Sequence, residues 1–193
     1  IRQMIDPTDV TKFDRTTDEL QEFWLFCITV AGKTAVQQAK NLEAFLSKGR
    51  AEFPGFTTPF QVVSVLNMSG VLVDHLKDAR LGQYTKLEKA FTGSLGIDLA
   101  TCSVADLEAI HGVGAKTARY FMLHTRKAQR IACLDTHVIR HMRDLGLTTQ
   151  KGTPQSGPKY EALEQEFLKL ADASGMSPAD FDLMIWNKYA RKA

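Results

Sequence analysis

Cysteine is scarce in this 193-residue chain: Cys27, Cys102 and Cys133 are its three, and no two are close in sequence. They form no CxxC pair, no zinc-ligand spacing and no even-numbered disulfide framework, so a reducing, intracellular setting is expected. Long apolar runs are missing as well. None reaches the ~18 residues of a membrane span, and Ile1 opens no basic-then-apolar leader pattern. Neither charge sign predominates: 24 Lys and Arg against 22 Asp and Glu leave a net charge of +2. That balance excludes a histone-like or tail-type polycation, though a basic face hidden in the average is still allowed. Strand signals are nearly absent, because Ile131-Ala132-Cys133-Leu134 is too short to carry a sheet. There is no internal repeat and no low-complexity tract. What is present is ordinary globular composition, 44% hydrophobic and 24% charged, enough for one large domain or two small lobes.

The punctuation predicts an all-α chain. Thr16 with Glu19 three residues on is a capping box for a helix to about Ala31, apolar on both faces and therefore central. A second helix is expected from Thr34 to Ser47, ended by Gly49 and Phe53-Pro54-Gly55. Thr58-Pro59-Phe60-Gln61 caps a third to about Asn67. Val71–Leu81, Tyr84–Phe91, Ser103–Ile110, Ala115–Arg126 and Asp135–Gly146 follow, then a polar loop from Thr148 to Pro158. Lys159–Ala173 and a helix from Pro178 to Tyr189, capped by Ser177, complete the pattern.

Residues 103–146 are the informative stretch. Two short helices flank Gly112-Val113-Gly114, and the turn delivers the chain to a helix N-terminus whose free amides suit a phosphate oxygen. GxG alone fits an ordinary αα-hairpin equally well. Charge points to the phosphate. His111 to Leu145 holds Lys116, Arg119, Arg126, Lys127, Arg130, Arg140 and Arg143 against Asp135 and Asp144, so this segment carries +5 and the remainder −3. A solvated charged face is the plainer alternative. Lys116 sits in the first turn of its helix, where the positive helix end disfavours an ammonium relative to the neutral amine of a nucleophile. Asp135 reads as an N-cap, and a carboxylate there is also placed to stabilise positive charge developing on a sugar.

Leu107-Glu108-Ala109-Ile110-His111-Gly112-Val113-Gly114-Ala115-Lys116-Thr117-Ala118, followed by Leu134-Asp135-Thr136-His137-Val138, closely resembles the helix-hairpin-helix DNA glycosylase superfamily with its Gly/Pro-rich loop and catalytic aspartate. It looks most like the endonuclease III type. The resemblance implies a two-lobed helical fold with the active site in a cleft between the lobes. The expected division is a central lobe over roughly 34–147 and a second lobe made of the N-terminal helix plus 148–193. It implies that Lys116 attacks the sugar C1′ to form a Schiff base and that Asp135 supports base loss. His111, Gly112, Val113, Gly114, Ala115, Thr117, Arg119 and Arg140 are expected against DNA, with a monovalent cation on the hairpin carbonyls and no other metal. Leu81-Gly82-Gln83-Tyr84 is similar to the superfamily's wedge turn, which puts Gln83 in the gap left by the flipped base. Lys33, Thr34 and Trp186 are candidate pocket residues, although a helix-end surface position suits Lys33 and a core position suits Trp186. The implied partner is double-stranded DNA, bound by a monomer in the cytoplasm or nucleoid.

Departures from the pattern bear on the substrate. The four-cysteine site of endonuclease III is lacking, so no iron–sulfur cluster and no other cofactor is expected. Val30-Ala31-Gly32-Lys33-Thr34 replaces the usual Ser-Ala-Gln run of the repair enzymes. With Leu20–Cys27 before it, that segment looks closer to the phage-associated α-glutamyl/putrescinyl-thymine pyrophosphorylases. Three functions therefore stand: a glycosylase with AP lyase activity, a transferase acting on hypermodified thymine, and a non-catalytic DNA-binding module. Gly32-Lys33-Thr34 is no P-loop, since position 27 is Cys and the preceding segment helical. The pair His137 and His141 is weak as a zinc site.

Overall fold

The computed structural model describes residues 5–190 and side chains as far as Tyr189. Those residues form ten helices and no strand. They group into two units, each with its own core. One is the described part of Ile1–Pro7 with Arg15–Val113, and the other is Thr8–Asp14 with the described part of Gly114–Ala193.

The first unit is built around α1 (Thr17–Thr29). Glu19 N–H donates to Thr16 Oγ1 at 3.3 Å and Thr16 N–H to Glu19 Oε2 at 2.7 Å, closing the capping box. Every residue from Glu22 to Thr29 is buried, because α2 (Ala35–Glu52), α3 (Pro59–Met68) and α5 (Tyr84–Ser94) surround it. Trp24 Nε1 reaches Ser94 Oγ on α5 at 2.8 Å, which satisfies both buried polar groups. Gly49 does not end α2. The helix runs through it, and a Cβ at Gly49 would overlap the Val62 Cγ1 methyl of α3; the glycine serves close packing. Gly93 likewise lies inside α5, where a Cβ would stand 3.2 Å from Ile110 Cγ2. α4 (Leu72–Asp78) stops earlier than periodicity suggests. The chain then turns through Arg80, Gly82 and Gln83 at φ 56°, 68° and 47°. α6 (Val104–Glu108) is held by the Ser103–Asp106 capping box.

The second unit comprises α7 (Ala115–Thr125), α8 (Thr136–Asp144), α9 (Pro158–Ala173) and α10 (Pro178–Ala190). Val138, Ile139 and Met142 of α8 pack with Tyr160 and Phe167 of α9 and with Phe181, Ile185 and Tyr189 of α10. The segment before α1 belongs here: Thr11 Oγ1 and His124 Nδ1 are 2.8 Å apart, and Lys12 N–H donates to His124 O at 3.1 Å. The main boundary between these two units falls between Val113 and Gly114. Its cause is physical: the apolar surface of α1 is satisfied by α2, α3 and α5, and that of α8 by α9 and α10.

Candidate active site

The turn before α7 uses its two glycines differently. Gly112 has φ 82° and needs glycine for its conformation, whereas Gly114 at φ −108° does not. Gly114 is the N-cap of α7, with no side-chain cap and nothing within 4 Å of where a Cβ would sit. The first amides of α7 are consequently left without the side-chain acceptor found at the starts of α1, α3, α6 and α8, and they suit an anion from outside. His111, Gly112 and Gly114 are exposed, while Val113, Ala115 and Thr117 are buried. These last three can offer only backbone to a phosphate.

Lys116 lies half-buried in the first turn of α7. Asp135 is the N-cap of α8, its Oδ1 accepting Val138 N–H at 2.8 Å while its own N–H donates to Cys133 O at 2.8 Å. Burial and then the charge of Asp182 push the Asp135 carboxyl above the usual carboxylate range. Lys116, the Val138 amide and His137 oppose that rise. Lys116 and Asp135, nineteen positions apart in sequence, thus stand within electrostatic reach of one another in the same unit. A carboxylate that binds its proton more firmly than usual is a better acceptor for a proton leaving the lysine.

Four residues that support this pair carry no motif. Tyr160 OH donates to Ala132 O at 2.8 Å and accepts Leu134 N–H at 3.0 Å, and Glu164 Oε2 accepts Ala132 N–H at 2.8 Å. The extended stretch 132–134, which a sheet would satisfy in another fold, is therefore pinned to α9 and delivers Asp135 to its position. Asp182 of α10 meets His124 Nε2 at 3.1 Å. Only burial within α7, α9 and α10 hints at these roles, and burial is invisible to spacing.

Other expected residues divide. Trp186 is half-buried and faces the His137 ring edge-on, with centroids 6.5 Å apart, which puts it beside the Asp135 segment and outside the buried core. Arg119 pairs with Glu164 at 2.9 Å and lies over the Tyr160 ring, so its guanidinium is engaged within the second unit. Arg130 is paired with Asp172 at 2.7 Å. Two of the seven basic residues between His111 and Leu145 are thereby neutralised by α9, a correction to the +5 count. Arg140 is exposed over the Tyr189 ring. Gln83 is exposed in a left-handed conformation. Thr34 is exposed at the N-cap of α2, and Lys33 donates to Leu81 O. Gln83, Thr34 and Lys33 lie in the first unit. Among the described residues no group of three or more His, Cys, Asp or Glu is arranged to hold a metal, and no helix is long and apolar enough to cross a membrane.

A family model described as 8-oxoguanine DNA glycosylase matches residues 8–176. The 8-oxoguanine DNA glycosylase/AP lyases of Thermotoga petrophila and Thermotoga neapolitana are each 37% identical over 75 residues, 39% of this chain and 36% of theirs. The chain thus aligns with little more than a third of the length of these relatives. Among solved structures, the 8-oxoguanine glycosylase/lyase of Methanocaldococcus jannaschii in complex with a 15mer DNA containing 8-oxoguanine superposes with a TM-score of 0.66 at 17% identity, covering 92% of this chain and 83% of that one. The 8-oxoguanine DNA glycosylase of Thermotoga maritima gives 0.65 at 23% identity, covering 91% and 82%. At these identities the likeness establishes the fold.

Proposed function

This chain belongs to the 8-oxoguanine DNA glycosylase family of helix-hairpin-helix proteins, and on that premise we propose that it is a DNA glycosylase with AP lyase activity whose substrate base is 8-oxoguanine. The observation that supports the reading is that Lys116 in the first turn of α7 lies within electrostatic reach of Asp135 at the N-cap of α8. Mere binding of DNA requires neither group, which disfavours the non-catalytic module. The hypermodified-thymine reading rested on Val30–Thr34, and the family match favours the glycosylases over it.

The chemistry follows from the two groups. The glycosidic bond of a stacked nucleotide is out of reach, so the base must leave the helix at a cost of a few kcal/mol. Backbone amides at the start of α7 would hold a phosphate against that cost. The C1′–N9 bond breaks with its electron pair going to the base, which takes up a proton. The carboxylate of Asp135 offsets the positive charge that appears on the sugar. The Lys116 amine, its proton accepted by Asp135, bonds to C1′. The ring oxygen then departs from C1′ as a hydroxyl, leaving an iminium. Loss of a C2′ proton expels the 3′-phosphate and nicks the strand.

A duplex with 8-oxoguanine opposite cytosine tests the reading when base release and strand nicking are scored separately. Wild type is expected to do both, and Lys116→Ala to lose nicking. Intact base throughout would exclude a glycosylase, and base release with no nicking by wild type would exclude the lyase step.

A further inference from the structure

Two lysines of the first unit, Lys33 and Lys86, carry positive charge that no ion pair among the described residues neutralises. Lys33 follows α1, and its Nζ donates to Leu81 O in the turn of left-handed residues that ends at Gln83. A Cβ at Gly82 would come within 2.9 Å of that Nζ, so the ammonium is seated directly on the turn. One of its three donors is used, leaving two. Lys86 lies in the first turn of α5, which has no acidic residue there. Its stem crosses the α-carbon of Gly112, where a Cβ would stand 2.8 Å from Lys86 Cγ. The aliphatic part of Lys86 is thus laid on the glycine turn, with its charge at a helix end that disfavours cations. Both lysines are half-buried, and among the described residues neither forms an ion pair with a carboxylate. Each lies within reach of the other's field, and burial and Lys86 together hold the Lys33 amine below the usual lysine range. Half-burying two like charges beside each other is costly unless an anion joins them.

We propose that Lys33 and Lys86 jointly bind one phosphate of the DNA backbone, a contact distinct from that of the α7 amides. The inference rests on the DNA-directed reading given above. It reassigns Lys33 from base pocket to backbone contact, and it gives Gly82 and Gly112 a second purpose, since a side chain at either would displace one lysine. A phosphate here would sit against the turn that presents Gln83, so grip on the strand and placement of Gln83 would be one event.

The test is the salt dependence of binding to a 25-base-pair duplex holding a tetrahydrofuran abasic analogue, read by fluorescence anisotropy between 50 and 200 mM KCl. One phosphate contact contributes about 0.9 to the slope of log K against log salt. The Lys33→Met/Lys86→Met protein is expected to show a slope shallower by about that amount, so that wild type loses roughly 3.5-fold more affinity over this range. Lys33→Arg/Lys86→Arg should keep the wild-type slope. If loss of the Leu81 contact unfolds the methionine double variant, Lys86→Met alone serves, because Lys86 makes no hydrogen bond among the described residues, and a part of that shallowing is expected, Lys33 still facing the phosphate. An unchanged slope in the methionine variants, or equal loss in the arginine variant, overturns the proposal while leaving the DNA reading intact. A wild-type protein that fails to bind the duplex overturns both.

Discussion

Asp135 has two duties that pull in opposite directions. As N-cap it stabilises α8 through Val138 N–H, and as a half-buried carboxylate beside Asp182 it binds a proton more tightly than in the unfolded chain. A carboxyl with a raised folded-state pKa favours folding most at acid pH and loses that advantage as pH climbs through the folded value. Asparagine keeps the cap and removes the charge. Asp135→Asn is therefore expected to raise Tm at pH 7 and to give a smaller gain near pH 4, while base release falls about 100-fold or more. Thermal melts at the two pH values with single-turnover kinetics check this, and a variant less stable at pH 7 than wild type would contradict it. Lys116 and Asp135 were legible because their residue types, spacing and order make a motif. Asp182 and His124 were not, since a buried pair joining α7 to α10 leaves no mark in sequence.

Among the elements, the extended stretch 132–134 determines where Asp135 stands. Tyr160→Phe leaves Leu134 N–H and Ala132 O without their hydroxyl partner, which should cost about 1–3 kcal/mol. Because the loss falls next to Asp135, base release should slow along with the drop in denaturation midpoint. A purely structural role would lower the midpoint and leave kcat untouched. In the first unit, Gly49→Ala should destabilise by about 1–3 kcal/mol by forcing α2 from Val62, a difference that urea titration measures. Capping boxes made the starts of α1, α3 and α6 readable, and the Ser177 cap did so for α10. Ends were harder. Glycine was read as a stop at Gly49 and Gly93, yet both lie inside helices because a neighbouring side chain occupies the space a Cβ would fill.

Across the molecule, the all-helical pattern was plain from capping and period, but the grouping into units was not. Which helix covers the apolar surface of α1 depends on contacts between segments far apart in sequence, and so does the return of Thr8–Asp14 to His124. Charge is likewise set by folding: Glu164 and Asp172 pair with Arg119 and Arg130, so the basic segment carries less unneutralised charge than the sequence count implies. The central claim is that the Lys116 amine becomes bonded to C1′ of a flipped nucleotide. Borohydride reduction during reaction with an 8-oxoguanine duplex, followed by digestion and mass spectrometry of the trapped product, tests it most directly. The account predicts a single adduct on Lys116, absent from Lys116→Ala. No adduct, or one on Lys33 or another lysine that persists in Lys116→Ala, would contradict it.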